Sequence, residues 1–393
     1  MEPSLRFLQA PESSVLLLGP RGTGKSTWLR QQWPRALSLD LLDPATLRSL
    51  QARPERLEEW IDGRPDVDVV VIDEIQRAPA LLDIVHRRIE DRSRALRFVL
   101  TGSSARKLRR GAANLLAGRL LHAEMHPFMA AELGDRFDLQ RALRLGLVPL
   151  VWQAANPQAA LDAYVALYLR EEVQAEALVR NAGAFARFLE AISFSHGSLL
   201  NLSEVARDCE VGRKTVEGYL QILEDLLLGF RIPVFARRAQ RQLVAHDKFY
   251  FFDTGIYRSI RPAGPLDRPE EIEGVALEGL VAQHLRAWTA YRSGKDRLHT
   301  WRTRAGSEID FVVYGPDSFM ALEIKRSARI ESRDLRTLRA FRDDYPEATV
   351  ALLHMGREPR VVDGITLQPL ETFLRALHPA RPLTDALRPD TLA

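Results

Sequence analysis

The chain has 393 residues, of which 46% are hydrophobic and 27% charged, and a formal net charge of +3. That length exceeds one ordinary core and predicts about two to four domains of ordinary globular composition. No stretch is apolar for long enough to span a bilayer, and no basic-then-apolar leader opens the chain. The single cysteine, Cys209, excludes an internal disulfide framework and a cysteine-built zinc site. A cytoplasmic protein with no membrane partner is the expectation. Only six of the 55 basic residues are lysine. Arginine suits bidentate phosphate contacts, but a coding bias toward Ala, Arg and Leu explains the count equally well.

Ser4 to Gln9 predicts a short helix. Val15 to Leu18 is then an apolar run, followed by Gly19-Pro20-Arg21-Gly22-Thr23-Gly24-Lys25-Ser26-Thr27. The spacing of Gly19, Gly24, Lys25 and Ser26 satisfies the P-loop pattern in full. Glycines let successive backbone N–H groups curl around a phosphate, and the helix starting near Lys25 turns its positive end to the same anion. Lys25 would reach the β- and γ-phosphates, and the Ser26 hydroxyl would hold Mg²⁺. ATP and Mg²⁺ are the expected cofactors.

Ala36 to Asp40 predicts a second strand, and Thr46 to Asp62 a helix. Val67 to Ile72 is β-branched with no solvent face, as in a central parallel strand. It ends in Asp73-Glu74, two acids where a buried strand emerges. Asp73 would orient Mg²⁺, and Glu74 would polarise the water attacking the γ-phosphate. Ala80 to Ile89 predicts a helix, and Ala95 to Thr101 a strand whose tip offers Thr101 or Ser103 as a γ-phosphate sensor. Arg119, after Gly118, is a candidate arginine finger, acting on its own or a neighbouring site; a plain surface arginine is the alternative. Alternating strands and helices make an α/β parallel sheet with its ligand at the strands' carboxyl ends.

Met129 to about Arg180 is Ala-, Leu- and Arg-rich with helical spacing, a lid or connector. Ala184 to Ser195 predicts a helix. Two more helices, around Ser203 to Cys209 and Thr215 to Leu228, join through a glycine turn as a helix-turn-helix. Gly229 to Phe235 and Lys248 to Phe252 then form a hairpin, completing a winged helix. Arg213, Lys214 and Thr215 on the second helix, with Arg237, Arg238 and Arg241 in the wing, are candidate DNA contacts. A winged helix used only for packing is the open alternative. Asp253 ends the hairpin as a turn cap. Arg261 to Pro269 is a Pro/Gly-rich linker.

Glu271 to Ala290 predicts a long helix carrying Glu278. Strands follow over Leu298–Arg302, Glu308–Tyr314 and Phe319–Lys325, the last two joined by a hairpin turn at Gly315 to Ser318. Strand alternation puts Glu323 and Lys325 on one face, with Asp310 on the partner strand. This is the arrangement of the PD-(D/E)xK nuclease core. Asp310 and Glu323 would bind Mg²⁺, Lys325 would position or deprotonate water, and Glu278 would complete the metal shell. The alternative is a salt-bridge cluster that keeps the fold without cleavage. Asp334 to Phe341 predicts a helix and Ala348 to His354 a strand.

The ordered set of P-loop, Val-Ile-Asp-Glu-Ile-Gln, Leu-Thr-Gly-Ser-Ser, Leu-Ala-Gly-Arg, Asn-Leu-Ser-Glu-Val-Ala, Lys-Phe-Tyr-Phe-Phe-Asp-Thr-Gly and Glu-Ile-Asp-Phe…Glu-Ile-Lys resembles the prokaryotic AAA-type ATPases that carry a C-terminal DUF4143 domain. The resemblance covers nearly the whole chain. It implies a AAA+-related ATPase domain over residues 1–130, a helical connector over 131–183, a winged helix over 184–260, a linker over 261–269 and a PD-(D/E)xK-like domain over 270–393. It places the ATP site on Gly24, Lys25, Ser26, Asp73 and Glu74, and the nuclease-like site on Asp310, Glu323 and Lys325. Arg170-Glu171-Glu172 departs from the arginine-aspartate pair the family pattern leads one to expect. The function implied is a Mg-dependent ATPase whose cycle controls DNA binding and metal-dependent phosphodiester cleavage. A DNA-binding switch without cleavage, or a regulatory ATPase acting on a partner protein, remains the alternative, and a homo-oligomer is compatible with either.

Overall fold

The computed structural model describes residues 5–91, 93–104, 118–168, 182–237, 242–244, 246–292 and 296–388. These fall into two compact units, one of Leu8–His126 with Glu224–Leu227, the other of Pro127–Leu223 with Leu228 onward and the segment up to Phe7.

The first unit is built on β1 (Val15–Leu18), β2 (Leu37–Asp40), β3 (Val69–Asp73), β4 (Arg97–Gly102) and β5 (Leu121–Glu124). They form a sheet in the order β2-β3-β4-β1-β5, every pair parallel. All five residues of β3 are buried, as its unbroken apolar run requires of a strand covered on both faces. Helices α1 (Lys25–Gln32), α2 (Pro44–Ala52), α3 (Arg56–Asp62) and α4 (Leu81–Glu90) accompany the strands. Leu50, Leu57, Leu81 and Val85 of these helices share a buried cluster with Val70, Ile72, Phe98 and Leu100 of the sheet.

Two expectations are corrected. Thr46 to Asp62 is two helices, because Pro54 lacks the N–H that a continuous helix needs and its ring strikes the preceding turn. Among residues 5–9 there is no helix. Instead Arg6 pairs with Glu132 at 3.2 Å and the Phe7 N–H donates to the same carboxylate at 2.7 Å. Those partners hold the segment extended.

The second unit begins with short helices α5 (Ala130–Leu133), α6 (Leu139–Leu145), α7 (Pro149–Trp152) and α8 (Pro157–Ala163). Then come α9 (Ala182–Ser193), β6 (Ser198–Leu199), α10 (Leu202–Asp208), α11 (Arg213–Asp225), β7 (Gly229–Ile232) and β8 (Lys248–Phe251). The three strands pair antiparallel in the order β6-β8-β7. Helix α10 starts where Asn201 accepts the N–H groups of Ser203 and Glu204, an N-cap.

After β8 come α12 (Thr254–Ile260), the 23-residue α13 (Pro269–Tyr291), β9 (Arg297–Arg302), β10 (Glu308–Gly315), β11 (Ser318–Lys325), α14 (Arg336–Asp344), β12 (Thr349–His354), β13 (Arg360–Val362), β14 (Ile365–Pro369) and α15 (Leu370–Ala376). The six strands order as β13-β14-β12-β11-β10-β9. The hairpin β10–β11 is antiparallel and β11–β12 parallel, so the sheet is mixed. Its strands β13 and β14 add to the elements expected from sequence, which ended at His354.

The corner between β8 and α12 explains Asp253-Thr254-Gly255. Asp253 is fully buried. One carboxylate oxygen accepts from the N–H groups of Gly255 at 2.9 Å and Ile256 at 3.2 Å, and the other from that of Leu147 at 2.6 Å. A Cβ on Gly255 would lie 2.2 Å from the Leu145 carbonyl oxygen. Only glycine admits that approach. The cap expected of Asp253 is present, and the same carboxylate also ties down the turn after α6.

Candidate functional site

The P-loop lies between β1 and α1, at the carboxyl end of the parallel sheet. Gly22 and Gly24 take φ of 80° and 91°, the left-handed region that glycine occupies without strain. A Cβ on Gly19 would come within 2.6 Å of the Met125 carbonyl oxygen. Thr23 Oγ1 donates to the Pro20 carbonyl at 2.8 Å. Lys25 is 6% exposed, and its Nζ donates to the carbonyls of Gly19 at 2.7 Å and Pro20 at 3.3 Å. Its ammonium is thereby held over the loop's opening residues.

Sequence-distant residues converge here. Ser26 Oγ donates to Asp73 Oδ2 at 2.5 Å, and Thr101 Oγ1 donates to Asp73 Oδ1. The Thr101 hydroxyl in turn accepts the N–H of Glu74 at 3.1 Å. From β4, Thr101 therefore fixes both acids at the end of the neighbouring β3. Glu74 itself stands at φ 61°, a conformation that costs a non-glycine residue about 1–2 kcal/mol. Such strain at a strand exit aims a side chain that an ordinary turn would not. The Glu74 carboxylate accepts from Gln76 Nε2 and from Ser103 Oγ, the latter at 3.2 Å, and Gln76 Nε2 also reaches Ser103 Oγ at 3.1 Å.

The hydroxyl of Ser26 and the carboxylate of Asp73 are hard oxygen donors that fit Mg²⁺ held with a nucleotide. Gln76 was not singled out from sequence. Its signal was its position two residues beyond Glu74, in the turn that the strand exit forces. Arg119 is not brought here. It precedes β5, at the amino end of a sheet whose carboxyl end carries the P-loop, and it pairs with Glu90. Four strand residues at about 3.3 Å each separate those ends. Any finger role is therefore left to a neighbouring subunit's site.

In the second unit, α13, β10 and β11 present Glu278, Asp310 and Glu323. Phe311 pairs with Leu322, and the adjoining Asp310 and Glu323 lie close enough for their charges to act on each other. Asp310 Oδ2 accepts the Ile324 N–H at 2.8 Å, and Lys325 Nζ pairs with Glu323 at 2.6 Å. The other Glu323 carboxylate oxygen is buried with no hydrogen-bond partner among the described residues.

The structure adds a residue that sequence reasoning missed. Lys248 of β8 is 2% exposed. Its Nζ pairs with Glu278 at 3.0 Å, with Glu308 and with Asp310 at 3.6 Å. Tyr250 Oη, two residues on along the same strand, donates to Glu278, and Arg302 pairs with Glu308 at 3.0 Å. Burial pushes the Glu278 carboxyl up to about 7, with the Asp310 charge adding to the rise and Lys248 opposing it. Burial, then Asp310, raises Glu323 well above the carboxylate range. Burial likewise raises Asp310. Burial pulls Lys248 down, but Glu278, Asp310 and Glu308 outweigh it and hold the ammonium above its ordinary value.

The expected three-acid metal shell is corrected accordingly. Among the described residues no group of three His, Cys, Asp or Glu is arranged to hold a metal ion. The acids close around an ammonium, and in this arrangement they do not fit a divalent cation.

Of the candidate DNA contacts, Arg213, Lys214 and Thr215 are exposed at the start of α11, with Arg213 paired to Glu217 at 3.0 Å. Arg237 lies over the Tyr314 ring at 4.8 Å. Arg238 and Arg241 lie outside the described residues, as does Arg170-Glu171-Glu172.

Residues 11–134 match the family model of an AAA domain. Residues 136–267 match a domain of unknown function, DUF8612, and residues 273–373 a second one, DUF4143. An uncharacterized protein of Mycobacterium tuberculosis is 28% identical over 350 residues, covering 87% of this chain and 76% of the relative. One of Haemophilus influenzae is 20% identical over 386 residues, covering 89% and 91%. Among solved structures, the replication initiator DnaA bound to AMPPCP and single-stranded DNA is 13% identical, with 55% of this chain and 83% of that one covered and a TM-score of 0.26. The ADP form of Aeropyrum pernix ORC2 is 14% identical, with 69% and 88% covered and a TM-score of 0.29. Likeness at those scores says nothing of what this chain binds. Among the described residues no helix is long and apolar enough to cross a membrane.

Proposed function

We propose that this chain, an AAA-domain protein with a C-terminal DUF4143 domain, is a Mg²⁺-dependent ATP hydrolase whose nucleotide cycle governs nucleic-acid binding by its other unit. The observation that carries the hydrolase is the Ser26–Asp73–Thr101–Glu74 chain of hydrogen bonds beside Lys25. Lys25 and the loop N–H groups would hold the triphosphate, and Ser26 and Asp73 would hold Mg²⁺, which offsets charge on the phosphate oxygens. Glu74 is held by Gln76 and Ser103 until it takes the attacking water as its partner. Polarising that water is its role.

Three helices with three strands ordered β6-β8-β7 support a winged helix over residues 184–260, and the exposed Arg213, Lys214 and Thr215 support phosphate contacts from it. The connector over 131–183, the linker over 261–269 and the PD-(D/E)xK-like domain over 270–393 complete the proposed division. The phosphodiester cleavage expected of Asp310, Glu323 and Lys325 is not proposed, because the acids close around Lys248 instead of a divalent cation.

The test is ATP turnover and ATP-dependent binding of single- and double-stranded DNA and RNA by wild type, Lys25→Ala and Glu74→Gln. Lys25→Ala is expected to lose nucleotide binding. Glu74→Gln is expected to bind ATP and lose at least about 100-fold in turnover, the size of a general-base contribution. Full turnover by Glu74→Gln would overturn the assignment of Glu74. Nucleic-acid affinity identical with and without ATP would overturn the control.

A further inference from the structure

Strands β11 and β12 run parallel and end side by side, Lys325 against His354. Arg326 and Met355 are the next residues along the chain from each. Beyond these carboxyl ends lies a cavity of about 480 Å³, in the position where parallel strands ordinarily present a ligand site. Glu273 and Leu277, one turn apart on α13, line it together with Gln140, Leu143 and Arg144 of α6 and Arg258 of α12. The segment matched over 136–267 therefore meets the one matched over 273–373 at this cavity. Such seams are common binding places, and the volume falls within the range of about 300–1,000 Å³ that small molecules occupy.

The lining combines an apolar side with excess positive charge. Leu143 and Leu277 are buried and Met355 is half-buried. Of the guanidinium groups, that of Arg326 is paired with Glu273 at 2.9 Å. Arg144 and Arg258 have no carboxylate partner among the described residues. Each stands in the last turn of its helix, where the helix dipole favours a cation without consuming its charge. A second cavity of about 610 Å³ shares Gln140 and Met355 with the first and adds Arg357, which is exposed and also lacks a carboxylate partner among the described residues. Guanidinium forks left unpaired beside a cavity match the oxygens of a phosphate.

We infer that this cavity binds a nucleoside phosphate, either free or at the end of a nucleic-acid strand. Arg144 and Arg258 take the phosphate through charge-assisted N–H···O bonds, and the base lies against Leu143, Leu277 and Met355. The adjoining cavity with Arg357 gives a strand room to continue. The site is separate from the acids around Lys248: Glu278, Asp310 and Glu323 are not among the described residues that line it. It requires no ATP hydrolysis, and it rests on the proposed nucleic-acid binding only where the phosphate belongs to a strand.

The experiment uses full-length Lys25→Ala, which silences the nucleotide site of the first unit, and adds Arg144→Glu, Arg258→Gln or Arg333→Glu. Arg333 is exposed and lines neither cavity. Isothermal titration calorimetry follows the four nucleoside 5′-monophosphates, the four nucleosides, and a short single-stranded oligonucleotide with and without a 5′-phosphate. A monophosphate, or the phosphorylated strand, is expected to bind once per chain and at least about tenfold more tightly than its unphosphorylated twin, the size of a charge-assisted hydrogen bond. Arg144→Glu and Arg258→Gln should each remove that preference, and Arg333→Glu should leave it unchanged. Binding of a monophosphate identifies a free nucleotide as the ligand; binding confined to the phosphorylated strand identifies a strand end. No phosphate-dependent binding by any probe would overturn the inference, as would a preference that survives in a folded cavity variant. Arg144 and Arg258 sit on different helices, so if one variant fails to fold the other decides. A wild type that hydrolyses no ATP defeats the proposed hydrolase and leaves this result untouched.

Discussion

Asp253→Ala is expected to loosen the corner that seats β8. The carboxylate accepts three buried N–H groups, from Leu147, Gly255 and Ile256. Truncation leaves all three unsatisfied. At the low end of about 1–3 kcal/mol for each orphaned group, the loss at neutral pH is about 3 kcal/mol. Amide hydrogen exchange reads it locally, and about 3 kcal/mol corresponds to exchange roughly 100-fold faster at those three amides. Asp253→Asn separates geometry from charge. Its amide oxygen keeps Gly255 and Ile256, while its NH₂ group meets the Leu147 N–H, costing about 1–2 kcal/mol at that amide.

The pH dependence has a definite sign. Burial raises the Asp253 carboxyl from 3.8 to about 6, against the hydrogen bonds from Leu147, Ile256 and Gly255 that lower it. A folded-state value above the unfolded one means stability fully present below 3.8 and lost as pH rises through about 6. Wild type therefore gains about 1 kcal/mol from this group between about pH 7 and pH 5, whereas Asp253→Asn gains nothing there. The gap between them should widen on acidification. Unchanged protection of the Leu147 amide in Asp253→Ala, or a gap that narrows toward pH 5, would refute the reasoning.

Thr101→Val removes a hydroxyl that donates to Asp73 and accepts from Glu74. It should cost about 2 kcal/mol of local stability and raise the Mg²⁺ concentration needed for half-maximal ATP turnover, measured by metal titration; an unchanged titration would show that Thr101 does not hold Asp73. Gly279→Ala would place a Cβ 2.3 Å from His196 Nε2, and that ring is stacked 4.0 Å from Tyr257, with no slack to yield. Thermal unfolding should drop by the equivalent of about 1–3 kcal/mol, as for other overpacked sites. Arg213→Ala with Lys214→Ala should lower the slope of log affinity against log salt by about 2 for DNA, with little sequence dependence. A slope equal to wild type's would remove these residues from the interface.

The nucleotide site was legible because its chemistry is local. Gly19 to Thr27 is one contiguous turn, and Asp73-Glu74 ends one conspicuous apolar strand. The parallel sheet followed from the same alternation, whereas its strand order and the short edge strand β5 did not. The hairpin of Asp310, Glu323 and Lys325 was legible for a similar reason: strand period and a short turn fix which residues face each other. The break in Thr46–Asp62 was written in Pro54 and overridden by the apolar period on both sides of it. Residues 5–7 carried no comparable signal, since side chains far along the chain hold them.

Lys248 stayed hidden because its role depends on three acids carried by two elements, the nearest of them 30 residues away in sequence. Strand period alone placed it at the start of β8, where a lysine is ordinarily a solvated edge residue. Composition held the missing clue. Where arginine fills nearly every basic position, a lysine marks a place that arginine's planar fork does not suit. Three of the six lysines satisfy that description: Lys25 over the P-loop carbonyls, Lys325 beside Glu323, and Lys248 among the acids. Each is a point charge held by oxygen acceptors. Both ends of the four-residue strand β8 are fixed by carboxylates, Asp253 just past one end and the acids around Lys248 at the other. A change that frees the Asp253 end should therefore be felt at the Lys248 end, and Asp253→Ala should speed hydrogen exchange along β8 as well as at Leu147. Unchanged exchange along β8, in a protein that has lost protection at Leu147, would show that β8 does not respond as one piece.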